Sequence, residues 1–212
     1  MQAAILSDGI EQSDLHNLIL SDGSRITAEG YVFACGPWLG RLFPKSIGPL
    51  VKATKQDVFF FGTPVGDTRF HDAQIPVWGD HRGRFRYGIP GGDLRGFKIA
   101  DDTRGPEFDP TNDDRNVSPE TLKDIRAYLG FRFPALKDAP LVETRVCQYE
   151  QTPDSHFIID RHPQHENVWL LGGGSGHGFK HGPAVGEMMA ELILKGGEQP
   201  KAMWRLNRFV ET

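Results

Sequence analysis

The chain has 212 residues, enough for one substantial core or two smaller ones. Hydrophobic residues make up 38% and charged residues 25%, and the formal charge is -4, so the sequence offers no basic field for nucleic acid or an acidic membrane surface. Its two cysteines, Cys35 and Cys147, are too few for a disulfide framework or a zinc cluster, and no apolar run approaches the roughly 20 residues that span a bilayer. These features predict a reducing, cytoplasmic setting. Met1 to Asp14 is acidic and lacks a basic start, so it does not read as a signal peptide.

Asn17 to Leu20 reads as a short strand, Ser21 to Ser24 as a turn, and Arg25 to Ala28 as the start of a return strand. Gly30 to Gly36 is a buried strand that stops at a glycine, and Leu39 to Phe43 is short and helical. Val51 to Phe61, Ile75 to Trp78, Arg84 to Gly88 and Gly96 to Ala100 are strands punctuated by glycine, which predicts a mainly antiparallel sheet. Asp101 to Asn116 is polar loop. Ser118 and Pro119 supply an N-cap and a first helical residue, and that helix should run to about Leu129. After a loop over Pro134 to Pro140, the segments Leu141–Tyr149, Phe157–Asp160 and Val168–Leu171 read as strands. A last helix spans Pro183 to Leu194 and ends at Lys195-Gly196-Gly197.

Three segments carry candidate chemistry. Gly172 to Gly182 reads GGGSGHGFKHG, entered by a strand and left by a helix. Such a turn exposes backbone amides beside a helix N-terminus, which favours an anion, and Lys180 adds a full charge. The competing reading is a flexible surface loop. In Cys147 to Asp160, CQYEQTPDSHFIID, a lone strand cysteine is ordinarily an inert core residue and His156 an ordinary turn histidine. Arg86 to Gly92 followed by Gly96-Phe97-Lys98 is by itself a glycine-rich hairpin, with Lys98 a solvated surface lysine. Nothing matches a metal-ligand cluster, a P-loop or a nucleophile elbow, and no GxGxxG follows an N-terminal strand.

Five features in order resemble the monomeric sarcosine oxidase and N-methyltryptophan oxidase branch of the D-amino-acid-oxidase-like flavoproteins. They are ACGPW at Ala34 to Trp38, YGIPGG at Tyr87 to Gly92, Lys98, CxYxxTPDxxFIID from Cys147, and GSGHGFK from Gly174 to Lys180. The resemblance extends from about Leu18 to Phe209. It implies FAD as cofactor, attached through a thioether at Cys147, with Gly36 at a strand-end turn of the cofactor layer. It implies that Gly174, Ser175, Gly176 and Gly178 form a turn against the flavin, with His177 near flavin and substrate. Tyr87 matches an active-site tyrosine, Lys98 the lysine that promotes the reaction of reduced flavin with oxygen, and Lys180 the lysine that binds the substrate carboxylate.

The implied fold is α+β. Residues 1–50 and 141–212 would form an incomplete, Rossmann-like FAD-binding layer, and residues 51–140 an antiparallel substrate-domain sheet. The implied reaction is oxidation of a small secondary amine or N-methyl amino acid by molecular oxygen, giving an imine and hydrogen peroxide. Asp102 stands near where the sarcosine oxidases carry a histidine, which leaves the amine itself open. The family's phosphate loop lies in an N-terminal half that this sequence does not contain, so the expected partner is that missing half and the chain alone is expected to be inactive. A flavin dehydrogenase with another acceptor, or a non-catalytic subunit, are the alternatives.

Overall fold

The computed structural model describes residues 4–5, 15–91, 95–196 and 200–209. In chain order the strands and helices are β1 (Ala4–Ile5), β2 (Leu18–Leu20), β3 (Arg25–Ile26), β4 (Tyr31–Phe33), α1 (Leu39–Leu42), β5 (Lys52–Phe61), β6 (Trp78–Asp80), β7 (Arg86–Ile89), β8 (Phe97–Asp101), α2 (Pro119–Arg132), β9 (Leu141–Gln151), β10 (Ile158–His162), β11 (His165–Gly172) and α3 (Gly182–Lys195). The chain divides into two compact units, one of residues 1–53 and 149–212, the other of residues 54–148. Gly92 and Gly197 fall outside the described residues.

In the first unit β10 and β11 form an antiparallel hairpin, and β11 pairs in parallel with β4, Val168 opposite Tyr31 and Leu170 opposite Phe33. Side chains alternate across this sheet. Phe33, Ile158, Val168 and Leu170 join Leu39, Phe43 and Ile47 in one core, while Ile159 and Trp169 pack with Met189 and Leu192 of α3 in another. Helix α3 ends at Gly196, whose left-handed φ of 65° closes the last turn.

The second unit is a five-stranded sheet in the order β6-β7-β8-β5-β9. The pairs β6–β7, β7–β8 and β8–β5 are antiparallel. Phe59, Phe61, Phe97 and Ile99 on one face bury against Ile125 and Leu129 of α2. Each such side chain contributes about 1.5–3 kcal/mol on burial. Ser118 caps α2, its Oγ accepting from the Thr121 amide at 3.3 Å, with Pro119 in the first turn.

Two of the element boundaries that differ from expectation lie in the second unit. The strand expected over Ile75 to Trp78 lies at Trp78–Asp80, because residues 71–75 are taken up in turns in which the Gln74 and Ile75 amides both donate to the His71 carbonyl. Pro76, which has no amide to donate, then keeps the segment out of a ladder. Helix α2 runs past Leu129 to Arg132 and stops at Phe133, the residue before Pro134, where a following proline disfavours helical backbone.

Candidate functional site

Because β4 and β11 are parallel, their C-terminal ends open at the same edge of the sheet, the place where α/β layers receive ligands. The turn after β4 begins a 3₁₀ helix at Gly36, whose φ is 54°. The turn after β11 runs from Gly173 to Gly178 and enters a 3₁₀ helix at Phe179–His181 before α3. Leu39 and Gly172 bring the two turns together: a Cβ on Gly172 would lie 2.7 Å from Leu39 Cδ2.

The second turn folds back on itself. Gly173, Ser175 and Gly176 have φ of 71°, 43° and 85°, a left-handed path that glycine follows without strain and serine does not. Ser175 is held there by its own bonds. Its amide donates to the Glu150 carbonyl at 3.0 Å, its Oγ donates to the Gly173 carbonyl at 3.2 Å, and the Thr152 amide donates to that Oγ at 3.2 Å. Gly174 and Gly178 touch backbone to backbone, since a Cβ on Gly178 would sit 3.0 Å from Gly174 Cα. A Cβ on Gly176 would overlap the Tyr149 ring.

His177 is turned inward. Its Nε2 donates to the Ser155 carbonyl at 2.9 Å, which fixes the proton on Nε2. Its ring meets Phe157 edge-on, with centroids 5.4 Å apart. Lys180 is exposed in the 3₁₀ helix just before the N-terminus of α3.

One group in this region carried no signal in the sequence reading. Glu150, at the end of β9, is 8% exposed and its Oε1 has no hydrogen-bond partner. Burial pushes its carboxyl up to about 7, with the amides of Gly173 and Gly174 pulling the other way. The Cys35 thiol is pushed up by burial and then by the charge of Glu150. A glutamate amid alternating residues of a strand looks solvated in sequence. The clue is the extra glycine, Gly172, where a Cβ would overlap Glu150 Oε1.

The second unit presents a different set. The sheet face opposite α2 carries Val58, Phe60 and Ala100, packed with Tyr87 and Cys147. Lys98 is opposite Phe60 on β5 and Ile89 on β7, and two residues from Ala100 on β8, so it shares that face. Its Nζ lies 5.4 Å from the centre of the Tyr87 ring. Tyr87, Lys98 and Cys147 are thus on one face, each partly buried. Both cysteines are free thiols.

The predicted residues therefore fall into two groups. Gly36, Gly174, Ser175, Gly176, His177, Gly178 and Lys180 gather at one edge of the β4–β11 layer, and Tyr87, Lys98 and Cys147 on one face of the five-stranded sheet. Among the described residues no group of three or more histidine, cysteine or acidic side chains is placed to hold a metal ion, and no helix is long and apolar enough to cross a membrane.

A strand-end glycine turn at the C-terminal edge of a parallel pair is the layout of an α/β ligand-binding layer. The family model described as FAD dependent oxidoreductase (DAO) matches residues 7–192, and the chain belongs to that family. It is 33% identical over 190 residues to monomeric sarcosine oxidase of Bacillus sp. (strain B-0618), covering 86% of this chain and 47% of the relative. Against peroxisomal sarcosine oxidase of Homo sapiens it is 30% identical over 189 residues, covering 86% and 48%. Among solved structures, a fructosyl peptide oxidase mutant superposes with a TM-score of 0.79 at 20% identity, over 95% of this chain and 51% of that one. L-proline dehydrogenase of P. horikoshii gives 0.78 at 25% identity, over 99% and 54%. The chain spans about half the length of these relatives.

FAD is the cofactor of this family. The Gly173–Gly178 turn lies at the C-terminal edge of the parallel pair. Its glycines leave backbone uncovered, and its two polar side chains, Ser175 and His177, are already bonded within the protein. The sequence contains no GxGxxG, the pattern that holds a pyrophosphate.

Proposed function

We propose that the chain carries the substrate-binding and flavin-ring functions of an FAD-dependent oxidase of a small secondary amine or N-methyl amino acid. The products are an imine and hydrogen peroxide, molecular oxygen is the acceptor, and a further segment supplies the pyrophosphate turn. The carrying observation is the Gly173–Gly178 turn at the C-terminal edge of the parallel pair in a chain of this family. The names of the sarcosine oxidases that the chain is similar to support the substrate class.

When bound, FAD supplies the two-electron acceptor. In this reading residues 1–50 and 141–212 form the cofactor layer and residues 51–140 the substrate-domain sheet. Lys180, exposed at the head of α3, pairs with a substrate carboxylate, and the partial positive charge of the helix end adds to its pull. Lys98 stabilises negative charge as oxygen is reduced, in a setting where Tyr87 and Phe60 exclude part of the water. Tyr87 lines the substrate side. Cys147 holds the cofactor through its sulfur, and Gly36 lets the first turn pass close to it. His177, tied to Ser155, keeps the second turn in shape.

The test is to express the complete coding region that contains this chain and to record flavin absorbance and amine-dependent oxygen uptake. A yellow protein that consumes oxygen with N-methyl amino acids supports the reading; a colourless one refutes it. A dehydrogenase using another acceptor is a second reading, favoured by the likeness to L-proline dehydrogenase. It would reduce an artificial acceptor without consuming oxygen.

A further inference from the structure

We propose that Glu150 is a positioning residue of the candidate site: as a neutral acid it lets the Gly172–Ser175 turn close over it, and as a carboxylate it drives that turn to open. The proposal rests on the reading that this turn faces the flavin, and extends it to how the turn is held.

The geometry begins with space. Glu150 leaves β9 beneath the end of β11, and the lack of a side chain at Gly172 makes room for its carboxyl, because a Cβ there would overlap Oε1. The same turn is hung from the backbone of Glu150, whose carbonyl accepts from the Ser175 amide at 3.0 Å. Any movement of residue 150 is therefore passed to Ser175 and, through the Ser175 Oγ, to Gly173 and Thr152. With 8% exposure this is not a solvated acid, and Oε1 has no partner.

A buried carboxylate oxygen without a donor costs far more than the same oxygen in a neutral acid. The groups around it do little to offset that cost. From β11 and the turn come the amides of Gly173 and Gly174, which favour the charged form but do not outweigh burial. From the turn after β4 comes the Cys35 thiol, whose ionisation the charge of Glu150 opposes. Leu39 of α1 is apolar, and the neighbours of Glu150 on its own strand, Tyr149 and Gln151, bring no cation. By linkage, a closed state that disfavours the charge gives way to an open, hydrated one as the charge forms. The sequence thus places a proton-dependent hinge under the turn that follows β11.

The experiment is amide hydrogen exchange of Gly173, Gly174 and Ser175 in the purified protein without added flavin. Rates are expressed as protection relative to an unstructured peptide at the same pH. Protection is expected to fall roughly ten- to a hundredfold as pH rises through neutrality. Glu150→Gln, a neutral side chain of the same shape, should keep high protection throughout. If that variant does not fold, Gly172→Ala serves instead: its methyl displaces the carboxyl towards solvent, and the step should move to lower pH. A parent protein whose protection shows no step, or a Gln variant that keeps the step, overturns the proposal. Because amide exchange reads the turn itself and not turnover, these outcomes are separate from those of the oxidase test, and either can fail alone.

Discussion

Replacing Glu150 by glutamine should change how the protein's stability depends on pH. Burial moves the carboxyl from its ordinary value of 4.5 to about 7, against the pull of the Gly173 and Gly174 amides. Between those values the folded protein keeps a proton that the unfolded chain has lost. The stabilisation is therefore complete below the unfolded value, declines as pH rises towards 7, and is absent above it. A gap of this size corresponds to something on the order of 3 kcal/mol. Glutamine does not titrate, so the variant lacks this slope. Urea unfolding followed by circular dichroism, in parent and variant between about pH 5 and pH 8, isolates the effect, since other groups cancel in the difference. The variant should gain on the parent as pH rises towards 7 and level off above it. A difference that stays flat across that range would refute the reasoning and return Glu150 to an acid that rearranges freely into water.

Other residues give separate predictions for the complete protein. Cys147→Ser should release flavin on acid precipitation whereas Cys35→Ser should not; retention in both variants removes the thioether assignment. Lys98→Met should slow reoxidation of reduced flavin roughly a hundredfold or more while sparing its reduction by amine, as stopped-flow mixing with oxygen would reveal. Lys180→Ala should weaken N-methyl amino acids by roughly 2–5 kcal/mol and leave carboxylate-free amines nearly unchanged, read from the ratio of their kcat/KM values.

Much of the fold is legible in the sequence because its signals are local. Ser118 and Pro119 mark the start of α2, Gly196 closes α3, and the run from Val58 to Phe61 marks β5 as a strand buried on both faces. What was not legible depends on pairing. The strands expected as Phe157–Asp160 and Val168–Leu171 extend into a hairpin from Ile158 to Gly172, because His162 and His165 pair across the turn. The strand near Trp78 is set by its register with Gly88, whose missing side chain accommodates the indole. In the candidate site, the glycine turn follows from a motif that the sequence displays, but the place of Cys147 beside Tyr87 on one sheet face depends on strand pairing. Glu150 does not, since its role depends on a space that Gly172 leaves on another strand.

The most direct test of the account is to mix the complete protein with an N-methyl amino acid in the absence of oxygen and watch the visible flavin band. The account predicts that the band bleaches, and that admitting oxygen restores it with release of hydrogen peroxide. A flavin that stays oxidised with every secondary amine tried would contradict the proposed function.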